Sequence, residues 1–209
     1  MLIKNTAIHH TGGLGADRYA PTSHLTAENI DAAHRAEWNF KSALDRYGGY
    51  NVFIERSGKT TQFRLIGEET AAQKGFNRDV FSVCFAGNFN INPTTGRQVD
   101  TPSVEQVLAF KRLMSALIEG KESGMKLAAD TEVKLSVLRT YPHRHFNNTD
   151  CYGTALDDEW ARQLIIDFMG ERITLLEKVI TLLIEVFSKM KKVGRFGAAS
   201  VDCKDAARG

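Results

Sequence analysis

Cysteine and proline are scarce in this chain. Three cysteines, Cys84, Cys151 and Cys203, stand among 209 residues. They are odd in number and far apart, which excludes the disulfide framework of a small secreted domain. That pattern suits a reducing compartment, with any special cysteine doing metal or catalytic work. Four prolines and 17 glycines exclude a collagen-like or proline-rich chain. An excess of one charge is lacking too. Lys+Arg is 27 and Asp+Glu is 25, a net +2, too little for the concentrated basic face of a nucleic-acid binder. No run approaches the ~18 apolar residues of a membrane span. The start, Met1-Leu2-Ile3-Lys4-Asn5-Thr6, has no apolar core after its basic residue, so no secretory signal is expected. The remainder is ordinary for a folded domain: 43% hydrophobic and 25% charged residues argue against wholesale disorder.

Strand and helix patterns alternate along the chain. Thr6–His10 reads as a short strand stopped by Gly12-Gly13. Thr26 is a suitable helix N-cap, and Ile30, Ala33, Phe40, Leu44 and Tyr47 follow at helical spacing up to Gly48-Gly49. Tyr50–Arg56 alternates, Ser57-Gly58 signals a hairpin, and Thr60–Ile66 is the return strand. Val80–Ala86 is apolar almost throughout, as in a strand covered on both faces. Residues 88–101 read as a loop, and Thr101-Pro102 as the start of a helix with Val107, Phe110, Met114 and Leu117 on its buried stripe. Leu135–Leu138 reads as a last strand. Leu156, Trp160, Leu164 and Phe168 form one face of a helix closed by Gly170. The expectation is an α/β fold with a mixed central β-sheet flanked by helices.

Past Gly170 the pattern changes. Ile173, Leu176, Ile180, Leu183, Phe187 and Met190 are spaced 3, 4, 3, 4, 3, about three heptads of a coiled-coil seam. From Lys189 on, six basic residues face two acidic ones. The expected organisation is therefore a domain over 1–170, an amphipathic C-terminal helix over 171–193 and a basic flexible tail over 194–209. Three roles stay open for the helix: packing on its own domain, self-association through residues 173–193, or contact with a membrane surface.

The residues able to do chemistry gather in two places. His9 lies in Ala7-Ile8-His9-His10-Thr11, at the end of a strand. His143 and Cys151 lie in the polar segment Pro142–Gly153, eight residues apart, so a loop must fold back to join them. Two imidazoles and a thiolate suit Zn2+. Three protein ligands leave a fourth position open, the catalytic rather than the structural pattern, and zinc there lowers the pKa of water to about 7. Spacing alone makes this a weak signal. His10 is expected on the opposite face of the strand, in packing or support of a ligand. His24, His34 and His145 are expected on loops or a helix surface. Cys84 is expected in the core. Asp150 is either a partner of a ligand imidazole or a turn former.

Four motifs occur together and in order: Ile8-His9-His10-Thr11; Gly49-Tyr50-Asn51-Val52-Phe53-Ile54 leading to Arg56-Ser57-Gly58; Phe81–Phe89; and His143 with Thr149-Asp150-Cys151-Tyr152-Gly153. Together they resemble the type 2 N-acetylmuramoyl-L-alanine amidases, the zinc amidase family that includes phage lysozyme-type amidases and peptidoglycan recognition proteins. The resemblance spans about residues 5–168. It implies that His9, His143 and Cys151 hold one zinc ion and that Tyr50 and Thr149 are catalytic. It also implies a peptidoglycan or muropeptide substrate, cut at the amide between the lactyl group of N-acetylmuramic acid and L-alanine. Two departures stand out. Tyr152 replaces the usual proline after the cysteine. Ala72-Gln73 occupies a place where family members often carry histidine, which is expected to affect stem-peptide contacts and not the metal site.

In that reading the Tyr50 phenol and Thr149 hydroxyl serve the tetrahedral oxyanion or the attacking water, and the general acid is unassigned. The expected protein is a phage or prophage endolysin, cytoplasmic until a separate membrane lesion releases it to the cell wall. A cytosolic amidase recycling muropeptides and a non-catalytic peptidoglycan-binding module are the alternatives. Retention of all three ligands weighs against the last.

Overall fold

The computed structural model describes residues 1–13 and 15–194, and the side chains as far as residue 187. The basic tail and Cys203 fall outside the described residues, apart from Gly194. The chain divides into two units, Met1–Phe168 and Met169–Gly209.

The first unit opens with β1 (Leu2–Ile3) and β2 (Asn5–His10), then α1 (Ala27–Trp38), β3 (Val52–Ile54), β4 (Thr60–Gln62) and β5 (Val80–Phe85). A small hairpin, β6 (Ile91–Asn92) and β7 (Arg97–Gln98), precedes α2 (Val104–Ile118). After it come β8 (Glu132–Val133), β9 (Thr140–Pro142) and the start of α3 (Trp160–Gly194). Five strands form the central sheet in the order β4-β3-β5-β2-β9. β2, β3, β5 and β9 run parallel, and β4 is antiparallel to β3. The mixed sheet with flanking helices is the expected fold class.

Burial follows the sheet's period of two. Every residue of β5 is buried. Cys84 and Ala86 pack with Ala27 and Ile30 of α1 and with Phe53 and Phe63. Phe85 points to the other face and meets Phe110 of α2 and Trp160 of α3, with ring centroids 5.4 and 5.8 Å away.

Several element boundaries differ from the sequence expectation, each for a local reason. α1 stops at Trp38, because Asn39 adopts the left-handed conformation (φ 47°) and its N–H bonds back to His34 and Arg35. Phe40, Leu44 and Tyr47 keep helical spacing without being helical. At α2, Pro102 lies just before the N-cap, and the cap is Ser103, which forms a reciprocal capping box with Gln106. The predicted strand at 135–138 is displaced: Val137–Arg139 is a 3-10 turn and β9 follows it. Gly170 does not end its helix, since α3 continues to Gly194. A helical glycine costs only about 1 kcal/mol, and good helix formers flank this one.

Arg64 ties the segment before β3 together. Its side chain is fully buried and donates to the carbonyls of Gly48 (2.8 Å), Glu69 (3.2 Å) and Phe40. These carbonyls sit in irregular backbone with no ladder to join. Arg64→Leu should therefore cost about 2–4 kcal/mol, because it strands buried acceptors. Urea unfolding reads this directly, and an unchanged midpoint would contradict the assignment.

Candidate metal centre

Two parallel strands that end together bring the histidines into contact. β2 and β9 pair with Ile8 opposite Pro142, so the next residue on each strand, His9 and His143, emerges at the same sheet edge. Their ring centroids are 4.4 Å apart. Strand alternation splits His9 from its neighbour. His9 lies in register with Cys84, and His10 with Phe85, so the two imidazoles take opposite faces. His10 turns away and accepts the Phe89 N–H on Nδ1 at 2.9 Å. It supports the site only through its backbone, whose N–H points at the Cys151 sulfur at 3.4 Å.

Cys151 arrives on a loop that folds back, as its distance from His143 requires. The Arg144 N–H donates to the Cys151 carbonyl at 2.8 Å. The Arg144 side chain then binds the carbonyls of Gly153 (2.9 Å) and Leu156 (2.7 Å) and the carboxylate of Asp158 (2.6 Å). Its guanidinium also lies over the ring of Tyr152, 5.3 Å from the centroid. One donor atom from each of His9, His143 and Cys151 lies within 4.8 Å of the others, and Cys151 Sγ is 3.8 Å from His9 Nδ1. Tetrahedral zinc bonds of these types set donor separations of about 3.3–3.6 Å. The arrangement fits zinc after a small inward movement.

Each imidazole is held by an amide on its far side. His9 Nε2 meets Gln73 Oε1 at 3.2 Å, and His143 Nε2 meets Asn147 Oδ1 at 3.0 Å. An amide oxygen can only accept, so both Nε2 atoms carry the proton and both Nδ1 lone pairs are left for a ligand. Gln73 is itself fully buried. Its side chain bonds Ser82 Oγ and its N–H donates to Asn77 Oδ1 at 2.8 Å.

Burial sets the charge states. It holds His9 well below the usual histidine range, helped by His143, and it lowers His143 as well. Both rings are neutral, as metal ligation requires. Burial also pushes the Cys151 thiol up to about 12, against the opposing pull of the His10 N–H and Arg144. A dication at the centre reverses that last effect by favouring the thiolate.

Tyr50 and Thr149 flank the three donors. The Tyr50 ring lies 5.2 Å from that of His9 and 5.6 Å from that of His34. Tyr50 is half-buried, and burial keeps the phenol well above its ordinary range. It is a donor, not a base. Thr149 Oγ1 accepts the Cys151 N–H at 3.3 Å, which leaves the hydroxyl hydrogen available. An open cleft of about 460 Å³ reaches the site. Trp38, Ala72, Lys74 and Asn77 line it beside His143 and Asn147.

Two sequence expectations need adjustment, at Gln73 and at His34. Gln73 acts on the metal site, because it contacts His9 directly. His34 is buried rather than on a helix surface, and its Nδ1 accepts the Gly49 N–H at 2.9 Å, next to Tyr50. His145 stacks on Tyr141. Asp150 pairs with Arg18 rather than with a ligand imidazole. Asn147 and Arg144 were not singled out from the sequence. The spacing His143–Asn147 was a usable signal, while Gln73 is remote in sequence from everything it touches.

Partners of this kind typically contribute 10- to 100-fold to metal affinity. Gln73→Leu should weaken zinc binding by about that factor in competition with a chromophoric chelator, and Gln73→Glu, which keeps an acceptor, should lose less. Equal affinity of the Leu variant and the parent would remove Gln73 from the site.

Residues 2–154 match the N-acetylmuramoyl-L-alanine amidase family. No curated protein matches the chain. Among solved structures, the N-acetylmuramoyl-L-alanine amidase LysC from Clostridium intestinale URNW is 18% identical, with a TM-score of 0.51 over 77% of this chain and 83% of that one. The Ph2119 endolysin from Thermus scotoductus MAT2119 bacteriophage Ph2119 is 14% identical, with a TM-score of 0.53 over 79% and 86%. At these identities the likeness is one of fold. The family match covers most of the chain and includes every residue gathered around the two histidines and the cysteine, and on that ground the chain belongs to the N-acetylmuramoyl-L-alanine amidase family.

Proposed function

We propose that this protein is a zinc-dependent amidase that cleaves the bond between the lactyl group of N-acetylmuramic acid and L-alanine in peptidoglycan. The observation that carries the reading is the convergence of His9, His143 and Cys151, with both imidazoles held by amides in the ligating tautomer. A binding module has no need of that arrangement. When bound, zinc supplies Lewis-acid polarisation of the scissile carbonyl and an activated water.

The chain's own residues do the rest. Asn147 and Gln73 fix the rings, and Arg144 fixes the loop that carries Cys151. Tyr50 stays protonated and donates to the oxygen on which negative charge develops. A charged oxyanion is a strong acceptor for that hydroxyl as charge builds. The Thr149 hydroxyl donates to the same oxygen or orients the water. The cleft beside Trp38 and Lys74 receives the substrate. No residue is assigned as the acid that protonates the departing amine.

In cellular terms we read the protein as a phage or prophage endolysin. It is held in the cytoplasm until a separate lesion releases it to the wall, with residues 1–170 as the catalytic domain and 171–193 as an appended helix. Intact sacculi should be degraded, and the activity should vanish with chelator and return with zinc. Turnover confined to soluble muropeptides would mark a recycling enzyme, and binding without cleavage a recognition module.

Tyr50→Phe should lower turnover by about 10- to 1,000-fold while zinc content stays at the parent level. A parallel fall in zinc would make Tyr50 structural.

A further inference from the structure

The second unit presents a broad apolar helical surface. Ten apolar side chains between Ile173 and Phe187 are each 45% to 63% exposed. At an order of 100 Å² apiece, by the burial worth of a Leu or Phe, they offer about 1,000 Å² per chain. Monomers rarely expose contiguous patches beyond a few hundred Å², and a stable interface needs about 800 Å² per partner.

The arrangement of these residues identifies the occupant. Ile173, Leu176, Ile180, Leu183 and Phe187 form one seam with steps of 3, 4, 3 and 4. Leu175, Val179, Leu182 and Val186 form a second, with steps of 4, 3 and 4. A coiled-coil dimer uses one such seam. Here the second runs one residue out of phase, which turns it by about 100° around the helix. A helix with two adjacent seams packs against two neighbours, and an angle of about 100° between neighbours closes a ring of about four or five helices.

The remaining face suits the outside of such a ring. It carries Thr174, Glu177, Lys178, Thr181 and Glu185, with Ile184 its one apolar residue between Ile173 and Phe187. Over residues 171–187 three acidic side chains oppose two basic ones, and Lys189, Lys191 and Lys192 follow; what favours helical neighbours over lipid is the heptad spacing of both seams, which a lipid surface does not require. No helix among the described residues is long and apolar enough to cross a membrane.

We infer that residues 173–187 assemble with copies of themselves into a bundle of about four or five chains, larger than a dimer. The inference is independent of the amidase reading. If both hold, several catalytic domains act on one polymeric substrate, where linked sites gain avidity without new contacts.

Sedimentation equilibrium of the full chain at micromolar concentration, without lipid, tests this. The expected mass is about four to five times that of one chain. Replacing Leu175 and Leu182 with Gln should reduce the particle to a dimer or monomer with cleavage per chain on soluble muropeptide unchanged. These side chains are exposed on the single helix, so the substitutions leave its folding intact, and circular dichroism checks that. A monomeric or dimeric parent overturns the inference, as does an assembly indifferent to the second seam. A parent that is monomeric in solution and binds phosphatidylglycerol vesicles overturns it in favour of a membrane-seeking helix.

Discussion

Two amide oxygens govern the candidate site. Gln73 and Asn147 each accept the Nε2 proton of one histidine, and this leaves Nδ1 as the only lone pair either ring can present. An imidazole in the other tautomer would turn an N–H toward the centre and repel a cation. The positions of the rings follow from strand pairing, but their chemical state follows from these two contacts. Burial acts in the same direction, since it keeps both rings neutral.

The fold supplies geometry in layers. The parallel β2–β9 pair brings two histidines to one edge. Arg144, one residue beyond His143, ties the returning loop at four points and so fixes the sulfur. Behind Gln73 stands Ser82, whose N–H donates to Asn51 Oδ1 at 2.8 Å, and Asn51 in turn holds the Leu65 carbonyl. A chain of bonds from β5 and the start of β3 thus reaches the His9 ring. Tyr50 lies two residues before β3, steadied by His34 behind Gly49. Tyr50 therefore sits at the edge of the sheet and Thr149 on the loop that carries Cys151, while the cleft is bordered by the less regular stretch from Ala71 to Asn77.

Much of this was legible in the residues. The apolar run of β5 announced a strand covered on both faces, and alternation in β2 separated His9 from His10. The cysteine was traceable through the motifs that resemble the amidase family, since its spacing from His143 was a weak signal alone. The failures share a cause, which is that tertiary contacts decide what local periodicity cannot. Phe40, Leu44 and Tyr47 mimic a helical stripe, but Asn39 adopts a left-handed conformation and breaks it. Gly170 looks like a stop, yet the helix passes through it. Gln73 looked like a lost substrate contact because nothing in its neighbourhood of sequence hints at His9, which lies 64 residues away.

The most direct test is X-ray absorption at the zinc edge on purified protein loaded with one equivalent of zinc. The account predicts one sulfur at about 2.3 Å and two imidazole nitrogens at about 2.0–2.1 Å, with one lighter, exchangeable scatterer. The sulfur should be absent from Cys151→Ser. A coordination shell without sulfur in the parent protein, or failure to retain zinc at all, would contradict it.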